Sequence, residues 1–142
     1  MDKENAAGPH HLMLTPGEIK WAPAPALGSG IQIAILSGSP FKAGSPFVFR
    51  LAMADGTKVP PHWHPVDERV TVISGIFLLG ADAKFDTNTL PELPAGSYAF
   101  MPRRGRHFAL AKGDTVIQLN GVGPFKIIYV NPADDPSRKS TS

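Results

Sequence analysis

The amino-acid sequence predicts an all-β protein, built as an antiparallel sandwich or barrel. Short apolar runs alternate with turn residues about every ten residues, which is typical of strands joined by tight connections. The chain also has 14 glycines and 15 prolines among its 142 residues, spread between the apolar runs. No segment keeps a helical repeat of apolar residues over three turns. Together these observations favour roughly nine short strands in a closed or double-layered sheet.

The size of the chain indicates one domain with a core of its own. We expect residues 12–131 to form this domain, residues 1–11 to be a disordered leader, and residues 132–142 to be a polar tail. The sequence contains no cysteine, which excludes disulfides, thiolate metal ligands and a cysteine nucleophile. His10 and His11 lie in the leader, where a solvated pair is the expected role.

Charge and hydropathy patterns exclude two classes of partner. The formal net charge is only +2 and the basic residues are scattered, so we expect no nucleic-acid surface. The longest apolar runs are too short to span a bilayer, so we expect no membrane partner. Because residues 1–11 contain no apolar signal core, the expected location is cytoplasmic, or exported if a signal segment has been removed.

The expected strands follow from alternation and from the positions of turn residues. In chain order they are 18–21, 31–36, 47–53, the segment around His62 and His64, 69–74, 76–79, 98–101, 108–111, 115–119 and 125–130. Turns are expected at 55–56, at Gly75 and at 112–114, and a polar loop at 82–92. Phe47 shares one face of a strand with Phe49, and Tyr98 shares one with Phe100, because residues two apart point the same way. We expect both pairs to line the core or the barrel interior; the alternative is that they stack on a substrate.

The strongest functional signal is a pair of histidines one residue apart. His62 and His64 project to the same face of a strand, so their imidazoles can reach a common ion. Glu68 opens the next strand, and a turn after Pro65 can return its carboxylate to the histidines. Asp67 is the competing carboxylate. Two imidazoles and a carboxylate form a standard donor set for a divalent metal.

This stretch resembles the first motif of the cupin superfamily. The matching residues are Gly56, His62, His64, Glu68 and Gly75, at the spacing of that motif. A second stretch resembles the second cupin motif through Gly96, Pro102 and His107. It departs from the motif at two positions, because the inner glycine, Gly105, comes one place late and Ala111 replaces the terminal asparagine.

The resemblance implies a jelly-roll β-barrel that encloses a metal site. Its ligands would be His62, His64, Glu68 and His107, holding one divalent ion per chain. Iron, manganese, zinc, nickel and copper all suit this donor set. Four protein ligands on a six-coordinate ion would leave two positions for water, a bidentate substrate or dioxygen.

Other polar residues have two interpretations each. Gln118 interrupts an apolar strand, and it either faces the ion as a hydrogen-bonding or substrate-contacting group or faces solvent. Arg103, Arg104 and Arg106 form either a solvated turn or a gate for anionic substrates at the barrel mouth. Arg69 should point away from Glu68 as a surface charge. No separate catalytic residue can be identified.

Two classes of function remain. The first is a metal-dependent enzyme of the oxygenase, isomerase or lyase type, acting on a small chelating organic molecule. The alternative is a non-catalytic module that binds or senses a metal or small ligand. Because small barrels expose sheet edges, we also expect a homodimer that pairs through the segment Ile19 to Trp21.

Overall fold

The structure is a computed structural model that describes residues 11–81 and 90–139. Nearly all of the expected leader 1–11, most of the expected loop 82–92 and the last three residues of the tail lie outside the described residues. Nine strands form the described structure. They are β1 (Ala22–Pro23), β2 (Ile31–Ser37), β3 (Pro46–Met53), β4 (Lys58–Trp63), β5 (Glu68–Gly80), β6 (Glu92–Pro94), β7 (Tyr98–Met101), β8 (His107–Val122) and β9 (Ile128–Tyr129).

All strand pairs are antiparallel, and two long strands organise them into a jelly-roll barrel. The second half of β8 pairs with β3 and with the first half of β5, which also pairs with β7. The first half of β8 pairs with β4 and with the second half of β5, which also pairs with β6. The two layers of the barrel therefore share β5 and β8, and the predicted fold class is confirmed.

Both shared strands bend where the sequence predicts turns. Gly75 has φ +78° and lies so close to β8 that an added Cβ would approach the Asp114 carbonyl oxygen to 2.4 Å. Gly113 has φ +74° at the corresponding bend of β8. Glycine adopts the positive φ at both bends, and at Gly75 it also avoids the close contact, so each strand passes from one layer to the other without ending. The predicted turns at Gly75 and at 112–114 are therefore bends within strands.

The core lies between the two layers and follows the alternation of the strands. In β3, Phe47, Phe49 and Leu51 point inward and are buried, as predicted for the two aromatic residues. Phe49 is fully buried; its ring stacks on Phe47 with centroids 5.3 Å apart and meets the edge of Phe125 at 5.0 Å. These aromatic contacts close one side of the barrel interior.

The two ends of the chain differ from the prediction. Pro16–Glu18 form a 3-10 helix, and the first strand comes later, at Ala22–Pro23, so the predicted strand over 18–21 is wrong. Glu18 accepts a hydrogen bond from the Thr15 N–H at 2.8 Å, which stabilises the start of this 3-10 helix. The homodimer stays a prediction, without the strand that was expected to mediate it.

Near the C-terminus the predicted strand 125–130 shortens to β9. The described part of the expected polar tail contains a 3-10 helix at Pro132–Asp134 and a single helical turn at Pro136–Lys139. Asn131 caps the former by accepting a hydrogen bond from the Ala133 N–H. Within the described ranges, no helix has the length and apolar character needed to cross a membrane.

Candidate metal centre

Three histidines meet inside the barrel because β4 and β8 lie side by side. His62 in β4 stands directly opposite His107, the first residue of β8. His64 follows β4 immediately, and its ring centroid lies 4.9 Å from that of His62. All three side chains are buried. One ring nitrogen from each histidine can be chosen so that the three atoms lie within 4.8 Å of one another.

The Nδ1 atom of each histidine is held by a backbone carbonyl group. The Nδ1 of His62 lies 2.7 Å from the carbonyl oxygen of Pro60. The Nδ1 of His64 lies 2.8 Å from that of Lys126, and the Nδ1 of His107 lies 3.1 Å from that of Gly105. Because a carbonyl oxygen can only accept, each Nδ1 carries the proton, and each Nε2 keeps a lone pair. This is the tautomer that a metal-ligating histidine needs when it binds through Nε2.

Glu68 supplies a carboxylate to the same point. Its Oε2 lies 3.3 Å from the His64 Nε2, and its Oε1 lies 3.7 Å from the His107 Nε2. Glu68 is the first residue of β5 and is buried. The structure thus brings together the four residues that the sequence nominated.

Burial decides the protonation of this cluster. It raises the pKa of Glu68 to about 8. Burial also lowers the pKa of His64 to about 4, lowers that of His107, and moves that of His62 well below its usual value. At neutral pH and without metal, the histidines are therefore neutral and Glu68 holds a proton, so the close contacts are not ion pairs. A divalent cation reverses this preference for Glu68, because its charge favours the carboxylate.

The donor set therefore fits a divalent metal ion. Three neutral imidazoles present lone pairs to one buried point, and a carboxyl group beside them can ionise when the charge of an ion offsets the cost of burial. The three buried histidines can hold a metal.

Comparison with known proteins agrees with this architecture. No protein-family model and no curated protein matches the sequence. Among solved structures, KdgF from Halomonas sp. is similar with a TM-score of 0.62 at 20% identity, covering 81% of this chain and 96% of that one. The polyketide cyclase RemF from Streptomyces resistomycificus has a TM-score of 0.69 at 16% identity, covering 94% of each chain. An RmlC-like cupin from Shewanella frigidimarina NCIMB 400 has a TM-score of 0.62 at 16% identity, covering 80% and 91%.

This chain has the cupin fold. At these identities the similarity establishes the fold and leaves the chemistry to the residues of the site. The jelly-roll barrel implied by the resemblance is therefore confirmed.

The altered second motif of this chain forms its turn with a different residue. The Gly105 N–H donates to the Pro102 carbonyl oxygen at 3.0 Å, which closes a four-residue turn. Arg104 occupies the third position of this turn, where the motif has glycine, and adopts φ +67°. Its N–H donates to the carbonyl oxygen of His64 at 2.8 Å. The turn therefore attaches the His107 side of the site to the His64 side.

Asp67, the alternative to Glu68 as a metal ligand, also helps to hold the turn at 102–105 in place. Its Oδ1 accepts from the Arg103 N–H at 2.8 Å and faces the Arg103 Nε at 3.5 Å. The backbone hydrogen bond from Arg103 lowers the pKa of Asp67, so the group is a carboxylate at neutral pH. Asp67 therefore binds the neighbouring turn, and Glu68 is the carboxylate that faces the histidines.

Gln118 lies outside the barrel, which corrects the interpretation that its side chain faces the ion. In β8, the buried residues are Ile117 and Leu119, and the half-buried Gln118 faces the other way. Its Oε1 accepts a hydrogen bond from the Arg50 Nε at 3.0 Å. Gln118 is therefore a structural partner on the outer face, and it does not line the cavity beside the histidines.

Three further interpretations are resolved by burial. Tyr98 is 60% exposed and Phe100 is 47% exposed, so the prediction that they line the interior is wrong. Arg69 is on the surface, as predicted, with its guanidinium carbon 5.2 Å from the centroid of the Phe100 ring. The three arginines at 103, 104 and 106 are exposed, and none lines the cavity, so the structure matches a solvated turn.

The cavity beside the histidines is small and apolar. Its volume is about 40 Å³, and within the described parts of the chain every lining residue other than the histidines and Glu68 is apolar. The sequence did not identify Phe125 as part of the site, although its ring stacks on His64 with centroids 4.9 Å apart. A larger open groove of about 780 Å³ lies elsewhere, between β2 and the bend of β8. None of the described residues that line this groove is a histidine, so we place the chemistry in the smaller cavity.

Proposed function

We propose that this chain is a metal-dependent enzyme whose single divalent ion is held by His62, His64, Glu68 and His107. The observation that carries the proposal is the shared tautomer of the histidines. Each Nδ1 is committed to a carbonyl group at 2.7–3.1 Å, which leaves each Nε2 free for one common ion. The Glu68 carboxylate, within 3.7 Å of two of these nitrogens, completes the set.

The residues of the chain would bind the ion and orient it in the cavity, while the ion would supply Lewis acidity or a site for redox chemistry. The carbonyl partners keep the imidazole planes fixed, and Glu68 gives up its proton when a cation enters. The apolar wall limits the water that shares the cavity and strengthens the electrostatic interactions inside it. Iron, manganese, zinc, nickel and copper all suit the set.

We infer an oxygenase, isomerase or lyase type of reaction on a small organic molecule with chelating oxygens. Support for a small-molecule enzyme comes from the similarity to the polyketide cyclase over 94% of this chain. The catalytic step would then depend on how the substrate binds at the positions that the protein ligands leave open.

The proposal is tested by metal content followed by turnover. Elemental analysis of the purified protein should give about one transition metal per chain, and His62→Ala or His107→Ala should lose most of it. Gln118→Ala is the matched control, because it removes a polar side chain from the outer face of the same strand that carries His107. Full metal content in either histidine variant would refute the ligand set.

The reaction type is tested by oxygen uptake and product analysis with a panel of enols, diketones and catechols. Oxygen consumption with iron, manganese, nickel or copper present would support an oxygenase. Conversion of a substrate without oxygen consumption would support an isomerase or lyase.

The second candidate is a non-catalytic module that binds or senses a metal. The specific observation in its favour is the cavity volume of about 40 Å³, which is far below the roughly 300–1,000 Å³ of typical ligand sites. A similar structure, that of Rhodobacter sphaeroides SigE in complex with the anti-sigma ChrR, has a TM-score of 0.56 at 22% identity, covering 75% of this chain and 50% of that one. If the purified protein contains zinc alone and converts none of the enols, diketones and catechols, the second function is favoured.

A further inference from the structure

The two layers of the barrel are not joined by strand pairing between β1 and β9. The strands follow the order β1-β2-β3-β8-β4-β9, and within the described residues its two end strands do not pair with each other. Residues 24–28, the closing turn, lie at this gap. The Ala24 N–H donates to the Ile31 carbonyl oxygen in β2 at 3.3 Å. The Tyr129 hydroxyl in β9 donates to the Ala26 carbonyl oxygen at 2.8 Å, so the closing turn is tied to both edges.

Leu27 belongs to the closing turn and lines the cavity beside the histidines. Its side chain is buried. The same residue also lines a groove on the outside of the barrel, together with Thr57, Lys58 and Pro60. Among the residues that the structure describes, Leu27 is the one that borders both spaces. A single apolar side chain therefore separates the cavity from this outer groove.

A second boundary of the cavity is much harder to open. Ile31 and Met53 line both the cavity and the larger groove near the bend of β8. They stand opposite each other in the β2–β3 pair, so moving either one outward would disrupt a sheet ladder. Leu27 lies outside the strands, and its N–H bonds a carbonyl oxygen within the same turn. Gly28 (φ +114°) and Gly30 (φ +82°) follow it, and glycines at the end of a turn can absorb the backbone rotation of a hinge.

We propose that the closing turn is the entrance to the cavity beside the histidines, with Leu27 as the gate and the Tyr129 hydroxyl as the latch that holds the gate shut. The inference rests on the proposed function only for the identity of what enters, a small organic substrate. Leu27 would select among substrates, because its side chain has to leave the cavity wall before a molecule reaches the histidines. Tyr129 is a positioning residue, since it acts on Leu27 through the Ala26 carbonyl oxygen. The turn at 102–105 is not the entrance, because none of its residues, all described, lines the cavity.

The sequence contains no cysteine, so a single introduced thiol can report access to the cavity. Val70 is buried and lines the cavity, and Val70→Cys replaces it with a residue of similar size. The full-length protein as purified is treated with iodoacetamide, and mass spectrometry follows the rate at which the thiol is alkylated. Adding Tyr129→Phe keeps the aromatic ring and removes the latch. Alkylation should then be about fivefold faster, the factor that corresponds to the loss of one ordinary hydrogen bond.

Leu27→Ala and Met53→Ala, each added to Val70→Cys, form a matched pair. Both remove a buried apolar side chain from the wall of the cavity, and both should lower the free energy of unfolding by similar amounts. Leu27→Ala should accelerate alkylation at least about tenfold, because the open turn no longer exposes a leucine. Met53→Ala should accelerate it by less than about twofold, because local opening of the turn does not involve β3. Urea unfolding of each variant separates opening of the turn from unfolding of the whole domain.

The gate inference is wrong if Tyr129→Phe leaves the alkylation rate unchanged, or if Met53→Ala accelerates alkylation as much as Leu27→Ala does. Neither result affects the metal centre, because the thiol is read without reference to metal. If elemental analysis instead finds no transition metal, the proposed function fails, and the alkylation rates still decide the gate inference. Ala109→Cys, at a second buried position of the cavity wall, replaces the reporter if Val70→Cys does not fold. If Leu27→Ala does not fold, the effect of Tyr129→Phe decides the question.

Discussion

Replacing Arg104 by glycine should stabilise this protein. Arg104 is the one non-glycine residue with positive φ among those described, at +67°, and its side chain is exposed. A left-handed conformation costs an L-residue about 1–2 kcal/mol, whereas glycine adopts it freely. Glycine in turn costs about 0.5–1 kcal/mol through the greater freedom of the unfolded chain. The difference predicts a gain of between about 0 and 1.5 kcal/mol, centred on about 0.75 kcal/mol, in the free energy of unfolding.

The backbone contacts of the turn should survive the substitution, because the N–H that bonds the His64 carbonyl oxygen belongs to the main chain. Urea unfolding and thermal melting measure the effect, and for a chain of this length the melting temperature should rise by about 1–4 °C. Two controls separate strain from side-chain effects. Arg104→Ala keeps a Cβ and should change little, while Arg106→Gly, at ordinary φ, should lose about 0.5–1 kcal/mol.

The reasoning fails if Arg104→Gly is no more stable than Arg104→Ala. That result would mean that the turn accommodates a Cβ without strain, and that the late glycine of the second motif has no energetic consequence.

Three further predictions concern protonation, positioning and packing. Burial raises the pKa of Glu68 from 4.5 to about 8. The contribution of Glu68 to the stability of the metal-free protein is therefore full below pH 4.5 and is lost as the pH rises towards 8. The free energy of unfolding should fall by up to about 1.4 kcal/mol per pH unit in this window. Glu68→Gln should remove this slope, whereas equal slopes in chemical unfolding of the two proteins would contradict the assigned pKa. Asp67→Ala should weaken metal binding by about tenfold, measured by competition with a chelator. Asp67→Asn should not weaken it, because the asparagine keeps an acceptor for the Arg103 N–H. Equal losses of affinity in the two variants would exclude a role for that hydrogen bond. Phe49→Ala should lower the free energy of unfolding in urea by about 3–5 kcal/mol, because Phe49 is fully buried. Phe100→Ala should lower it by less than about 1 kcal/mol, because Phe100 is half-exposed. Similar losses in the two variants would disprove the aromatic core.

The local part of the candidate site could be predicted from the sequence. The spacing of His62 and His64 places both rings on one face, and Glu68 follows after a short proline-containing turn. These relations depend on strand geometry over a few residues, which the sequence determines directly. The distant histidine, His107, could be associated with them only through the resemblance of the second motif, since strand parity does not reveal which strands become neighbours.

Residues farther from the motifs were harder to assign because alternation gives two faces without saying which is inward. Gln118 and Ile117 alternate on β8, and only the packing of β8 against β3 and β5 decides that Ile117 is buried. Tyr98 and Phe100 are large aromatic residues, yet their strand, β7, lies at the edge of the sheet, and Ala99 and Met101 face the interior instead. Hydrophobicity of a single residue is a weak guide at an edge strand.

The pairing of His62 with His107 has a consequence for the order of folding. The two residues are far apart in sequence, and the contact between them forms only when β8 docks beside β4. Such distant pairings close large loops and come at a high cost in chain entropy, which slows the folding of β-rich domains. We therefore expect high-affinity ion capture to appear late in refolding, together with the closure of the barrel. A fragment that ends before β8 should contain the first motif intact and still lack the complete centre.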